Sequence, residues 1–107
     1  MTLTDVYNRL KLIKDVPVAY LAFKSAQNSD YIVYYESGAN FHGSDERNHI
    51  KEMNVTIELY TDKKNRALEK RIEDLFSDVE LSKGADAWID DEQMLMVTYE
   101  FMTINKE

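Results

Sequence analysis

Met53-Asn54-Val55-Thr56-Ile57-Glu58-Leu59-Tyr60 is the stretch on which the reading of the fold turns. Side chains alternate faces along an extended chain, so Met53, Val55, Ile57 and Leu59 share one side and Asn54, Thr56, Glu58 and Tyr60 the other. The pattern predicts a half-buried strand. Directly behind it, Thr61-Asp62 offers a capping oxygen, and Leu68, Ile72, Leu75 and Phe76 recur at intervals of three and four. That spacing predicts an amphipathic helix over 64–76, the nearest element able to cover the strand's apolar side.

Upstream, Leu3, Val6, Leu10 and Ile13 form a second helical stripe over 3–14, with Thr2 or Thr4 as its cap. Pro17 ends it, because proline donates no amide hydrogen and restricts the residue before it. A short strand is expected over 18–23, with proline at its start. Tyr31-Ile32-Val33-Tyr34-Tyr35 is β-branched or aromatic throughout and predicts a central strand. Gly38, Asn40, Gly43 and Ser44 among charges mark 37–49 as a long flexible loop or the tip of a hairpin.

Downstream, 79–83 predicts a brief strand before Gly84. Ala85 to Ile89 holds the only tryptophan, Trp88, and leads into the acidic turn Asp90-Asp91-Glu92. Leu95, Val97, Tyr99 and Phe101 alternate with Met94, Met96, Thr98 and Glu100 in a last strand over 94–104. The expected class is α+β, in the order α-β-β-β-α-β-β: an antiparallel or mixed sheet of four to five strands with two helices packed on one face. Adjacent strands have connections too short for parallel crossovers except across the second helix. On this reading Tyr34, Tyr60, Met94 and Met96 point away from the helices, giving a face apolar enough to meet another chain.

The 107 residues make one domain, 1–107, long enough to bury a single core. With no cysteine, there is no disulfide, thiolate zinc site or cysteine nucleophile. Met1 leads into a polar periodic segment and no run reaches about 18 apolar residues, so neither a secretory signal nor a membrane span is expected. The formal charge is −7, from 20 acidic against 13 basic residues without a basic block. Such a field repels phosphate backbones and excludes nucleic acid as a main partner.

Catalytic and ligand-binding patterns are thin. His42 and His49 bracket Asp45 and Glu46, but no zinc spacing is present, and a solvated loop explains them better. Asp86, Asp90, Asp91 and Glu92 lack the calcium-loop spacing. No nucleophile elbow exists, and three glycines leave little for a phosphate cradle, so no enzyme and no cofactor are expected. Seven tyrosines suggest base stacking, yet Tyr31, Tyr34 and Tyr35 are flanked by Asp30 and Glu36 rather than by cations, which favours core and interface roles.

Val16-Pro17-Val18-Ala19-Tyr20 after a first helix, Tyr31-Ile32-Val33-Tyr34, Ile57-Glu58-Leu59-Tyr60-Thr61, Leu68-Glu69-Lys70-Arg71-Ile72-Glu73 and Met94-Leu95-Met96-Val97-Thr98-Tyr99-Glu100-Phe101 stand in an order with a known parallel. Together they resemble the small tail-completion proteins of long-tailed phages and prophages of Gram-positive bacteria, over about residues 3–104. Asn28-Ser29-Asp30 stands where that family usually has a proline, while Asn40-Phe41 keeps its Asn-aromatic pair.

The resemblance implies a tail terminator or head-to-tail joining protein. Such a protein forms a ring, commonly a hexamer, and contacts the tail-tube protein and the head connector at the head-tail junction of the virion, after assembly in the host cytoplasm. The assembly-contact candidates are Asn40, Phe41, His42, Asp45, Glu46, Tyr34, Tyr60, Met94 and Met96. The alternative is a non-catalytic adaptor or small acidic inhibitor from a mobile element that binds a host protein.

Overall fold

The computed structural model describes residues 1–25, 27, 29–43 and 50–106. The element order is α1 (Leu3–Leu10), β1 (Val18–Tyr20), β2 (Tyr31–His42), β3 (Ile50–Thr61), α2 (Arg66–Leu75), β4 (Ser82–Lys83), β5 (Ala87–Ile89) and β6 (Met94–Lys106). The class is α+β, and the mixed sheet has six strands, one more than expected. Its order is β1-β2-β3-β6-β4, with β5 pairing on β6 along the same edge as β4.

The decisive stretch forms the middle of β3, which runs antiparallel to β2 on one side and to β6 on the other. Met53, Val55, Ile57 and Leu59 are buried beneath the helices with Ile32, Val97, Tyr99 and Phe101. Val6 and Leu10 of α1, and Leu68, Ile72 and Phe76 beside them from the second helical stripe, supply the cover, so both helices lie on one face.

Thr2 caps α1 in a capping box: its hydroxyl accepts from the Asp5 amide at 3.1 Å, and its own amide donates to Asp5 Oδ2 at 2.8 Å. The cap of α2 is Asn65 rather than Thr61 or Asp62, its Oδ1 accepting from the Leu68 amide at 3.0 Å. Asp62 instead donates its amide to Asp30 Oδ1. That bond closes the end of β3 against the entry of β2, and the helix starts at Arg66, two residues later than expected.

Three further expectations change. The ten residues between β1 and β2 do make a parallel crossover, with Val18, Ala19 and Tyr20 beside Ile32, Val33 and Tyr34. Leu21, at φ 66, breaks the strand three residues into its expected span and turns the chain back. Tyr34 lies opposite Ile57, so it faces the helices and not the open side.

The third change is in the region read as a long loop or the tip of a hairpin: the hairpin reading fits, with longer strands than expected. Residues 37–42 continue β2, and the ladder with β3 runs to the pair His42 and Ile50 after a bulge between Glu36 and Gly38. Cross-strand contacts hold it: Lys51 Nζ lies 2.6 Å from Glu36 Oε1 and 5.7 Å above the Phe41 ring, and His42 Nε2 lies 3.0 Å from Glu52 Oε1. Strands of this length span about 40 Å, most of the 51 Å long axis of the molecule.

Candidate functional site

The contact candidates fall into separate places. Asn40, Phe41 and His42 stand at the distal end of β2, all exposed, on an arm whose helix side meets the N-terminus, the Met1 ammonium donating to Thr103 Oγ1 at 3.1 Å and to Asn105 Oδ1 at 2.9 Å. Asp45 and Glu46, with His49, lie outside the described residues. Alternation from the buried row places Phe41 on the helix side of the arm, while Ile50, Met102 and Ile104 fall on the other side, reached through the pairs Asn54 with Met102 and Glu52 with Ile104. Phe41 is 52% exposed and Ile104 56%. The arm thus presents apolar side chains on both faces.

Tyr34 is 7% exposed, wedged between the Tyr7 and Tyr20 rings at 6.1 and 5.3 Å between centroids. It is core, and no surface contact can be built on it. Tyr60, Met94 and Met96 do lie on the face away from the helices, as expected. Part of that face is covered by the chain itself: Tyr31, Val33 and Met94 form a second small core with Phe23 and Tyr60. The parallel crossover brings Phe23 there, its ring edge-on to Tyr31 at 5.4 Å.

Beside this second core a cavity of about 480 Å³ opens between the crossover, the start of β2, the end of β3 and the acidic turn. Tyr31 and Tyr60 stack there at 4.7 Å, 15° from parallel. Tyr60 donates to Glu58 Oε1 at 2.7 Å, Tyr35 to Glu58 Oε2 at 2.8 Å, and Tyr31 to Glu92 Oε2 at 2.6 Å. Burial, then the bond to a carboxylate, pushes the Tyr35 hydroxyl up to about 12 and those of Tyr31 and Tyr60 higher still. These phenols stay protonated donors at neutral pH and cannot serve as bases.

Sequence reading missed Tyr31, Glu58 and Glu92 as a group. They come from three separate segments, and only the register of β2 on β3 and the acidic turn joins them.

The sheet edges carry further apolar surface. Tyr20 and Leu21 are exposed at the β1 edge, and Trp88, 52% exposed, stands at the opposite edge on β5. Among the described residues no group of three His, Cys, Asp or Glu side chains is placed to hold a metal ion, and no helix is long and apolar enough to cross a membrane.

No family model and no curated protein matches the chain. Solved structures do. One that carries no functional name aligns over 100% of this chain and 96% of its own, with a TM-score of 0.60 and 12% identity. A second is a sheath/tube terminator of an extracellular contractile injection system, PVC, solved by cryo-electron microscopy in its extended state. It aligns over 100% of this chain with a TM-score of 0.53 and 8% identity, and this chain spans 57% of its length. The chain thus has its fold in common with both structures.

Proposed function

We propose that this chain caps the end of a tail tube, as a structural protein without catalytic activity. The observation that carries the reading is the fold it has in common with a sheath/tube terminator, over the whole of this chain. Two features of the surface support it. A ring closes through two unlike patches that meet head to tail, and the β1 edge with Tyr20 and Leu21 and the β5 edge with Trp88 are unlike and lie on opposite sides of the sheet. The arm offers exposed apolar side chains, Phe41, Ile50, Met102 and Ile104, for contact with a tube or a head connector.

In this reading the ring is a hexamer at the head-tail junction of a Gram-positive phage or prophage, assembled in the host cytoplasm. The tail-tube protein lies on one side and the head connector on the other. Asn40, Phe41 and His42 of the arm, with Asp45 and Glu46 next in sequence, are its contacts along the ring axis.

The test is electron microscopy of an induced lysate from a parent strain that lacks the gene, complemented with the wild-type chain or with Phe41→Asp/Ile104→Asp. Filled heads beside unattached or overlong tails in the deletion, rescued by wild type and not by the double variant, is the expected result. Normal particles in the deletion overturn the reading. Both positions are exposed, and since Phe41 also lies beneath Lys51, amide spectra and the thermal transition of the variant are recorded beside wild type; a transition within a few degrees assigns a failed rescue to the lost contact and not to folding.

A further inference from the structure

The cavity beside the second core has two carboxylates in its wall, Glu58 and Glu92, that no basic side chain among the described residues pairs with. Its walls include Phe23, Lys24, Tyr31, Glu58, Tyr60 and Glu92. Among the described residues, neither Glu58 nor Glu92 has a basic group within ion-pair distance, and what sets them apart from other unpaired acids is that tyrosine hydroxyls hold both at the cavity wall. Lys24 stands in the same wall and is not paired to either carboxylate.

The tyrosine hydroxyls fix these carboxylates in place without cancelling their charge. Each bond occupies one lone pair of its oxygen and leaves another for a donor from the cavity. Tyr31 is buried against Tyr60 and Phe23, so the π-surface beside the charge comes from the partly buried Tyr60 and Phe23 rings. Two oriented carboxylates next to aromatic rings suit a planar cation with several N–H donors, which can lie against a ring and bond sideways to a carboxylate. A compact ammonium satisfies the charge alone.

We propose that this cavity is a docking site for an arginine side chain presented by a partner protein. The chemical match, a guanidinium against two unneutralised carboxylates and a tyrosine stack on a chain of net charge −7, selects that occupant over an acidic or neutral side chain. The proposal goes beyond the tube-capping reading and does not depend on it.

The experiment is titration of the isotope-labelled full chain with Nα-acetyl-arginine amide, followed by amide NMR shifts at constant ionic strength. The citrulline analogue, planar but neutral, and the lysine analogue serve as controls. Saturable shifts at Phe23, Tyr31, Glu58, Tyr60 and Glu92 are expected with arginine, weaker ones with lysine and none with citrulline. Glu92→Gln lies on an exposed turn, keeps the fold, and should weaken arginine binding by about tenfold through one lost charge-assisted contact.

Equal shifts with citrulline or lysine, shifts spread over the acidic surface at large, or unchanged affinity in Glu92→Gln overturn the proposal. Particle morphology is untouched by any of these results, so failure here is distinct from failure of tube capping.

Discussion

Tyr99→Phe isolates one buried bond at the heart of the fold. Tyr99 is fully buried in the core on β6, and its hydroxyl donates to Glu73 Oε2 on α2 at 2.6 Å, with the Glu69 carbonyl a longer second acceptor at 3.4 Å. It ties the sheet to the second helix beside the ion pairs that Lys83 of β4 makes with Glu69 and Glu73. Hydrogen bonds to charged groups contribute about 1.5–3 kcal/mol each. Two observations place this one in the lower half of that range. Glu73 is 39% exposed, and without the phenol it keeps Lys83 Nζ at 3.0 Å and takes up water, so no acceptor is orphaned.

The expected loss is therefore about 1.5–2 kcal/mol. With an unfolding entropy of about 225 cal/mol/K for a chain of this length, the melting temperature falls by about 7–9 °C. Guanidinium denaturation should show a lower midpoint and an unchanged slope, because the exposed area does not change. A double-mutant cycle with Glu73→Gln should return a coupling of about 1 kcal/mol. A Tyr99→Phe variant within about 0.5 kcal/mol of wild type, or strict additivity in the cycle, refutes the claim that this bond ties α2 to the sheet.

Other perturbations have equally definite outcomes. Ile57 is fully buried and sits between Tyr34 and Tyr99 across the two ladders, so Ile57→Ala should cost about 3–4 kcal/mol in calorimetry, as a core truncation that neighbours on both sides cannot fill. Tyr31, Tyr34, Tyr35, Tyr60 and Tyr99 all have raised pKa values. Their stabilisation is complete below the unfolded value of about 10 and is lost as pH rises through the folded values; ultraviolet titration should show these phenols ionising late, together with unfolding. At the acid end, Tyr99 and then Lys83 hold Glu73 below its ordinary 4.5, and Arg9 holds Asp78 below 3.8. Stability should be level above about 4.5 and decline as pH falls through the lower folded values, with the decline reduced in Glu73→Gln.

The alternation in 53–60 carried most of the fold, because a period of two has a phase and the polar partners Asn54, Thr56 and Glu58 revealed it. Tyr31-Ile32-Val33-Tyr34-Tyr35 has no such phase. All five residues are apolar or aromatic, so nothing local says which side Tyr34 takes, and only its pairing with Ile57 decides it. The parallel setting of β1 was hidden for a different reason: it depends on Leu21 adopting a left-handed backbone, which leucine does not advertise.

The arm was hidden because its strand pairing rests on contacts between the two strands, Lys51 with Glu36 and Phe41 and His42 with Glu52, while Gly38 and Asn40 locally read as a turn. Asn40, Phe41 and His42 were named in the sequence only through the family resemblance, by its Asn-aromatic pair. The cavity was not. Its carboxylates and phenols become neighbours only after the sheet has formed.

The three long strands β2, β3 and β6 lie side by side with their ladders unbroken apart from the one bulge. Ladder bonds between antiparallel strands stand perpendicular to the strands. A force directed along the strands therefore loads the bonds in shear, many at once, whereas a force across the sheet peels them one pair at a time. The body is mechanically stiff along its length and weak at the short β1, β4 and β5 edges. A push delivered at the tip of the arm reaches the helix-covered core as a rigid displacement.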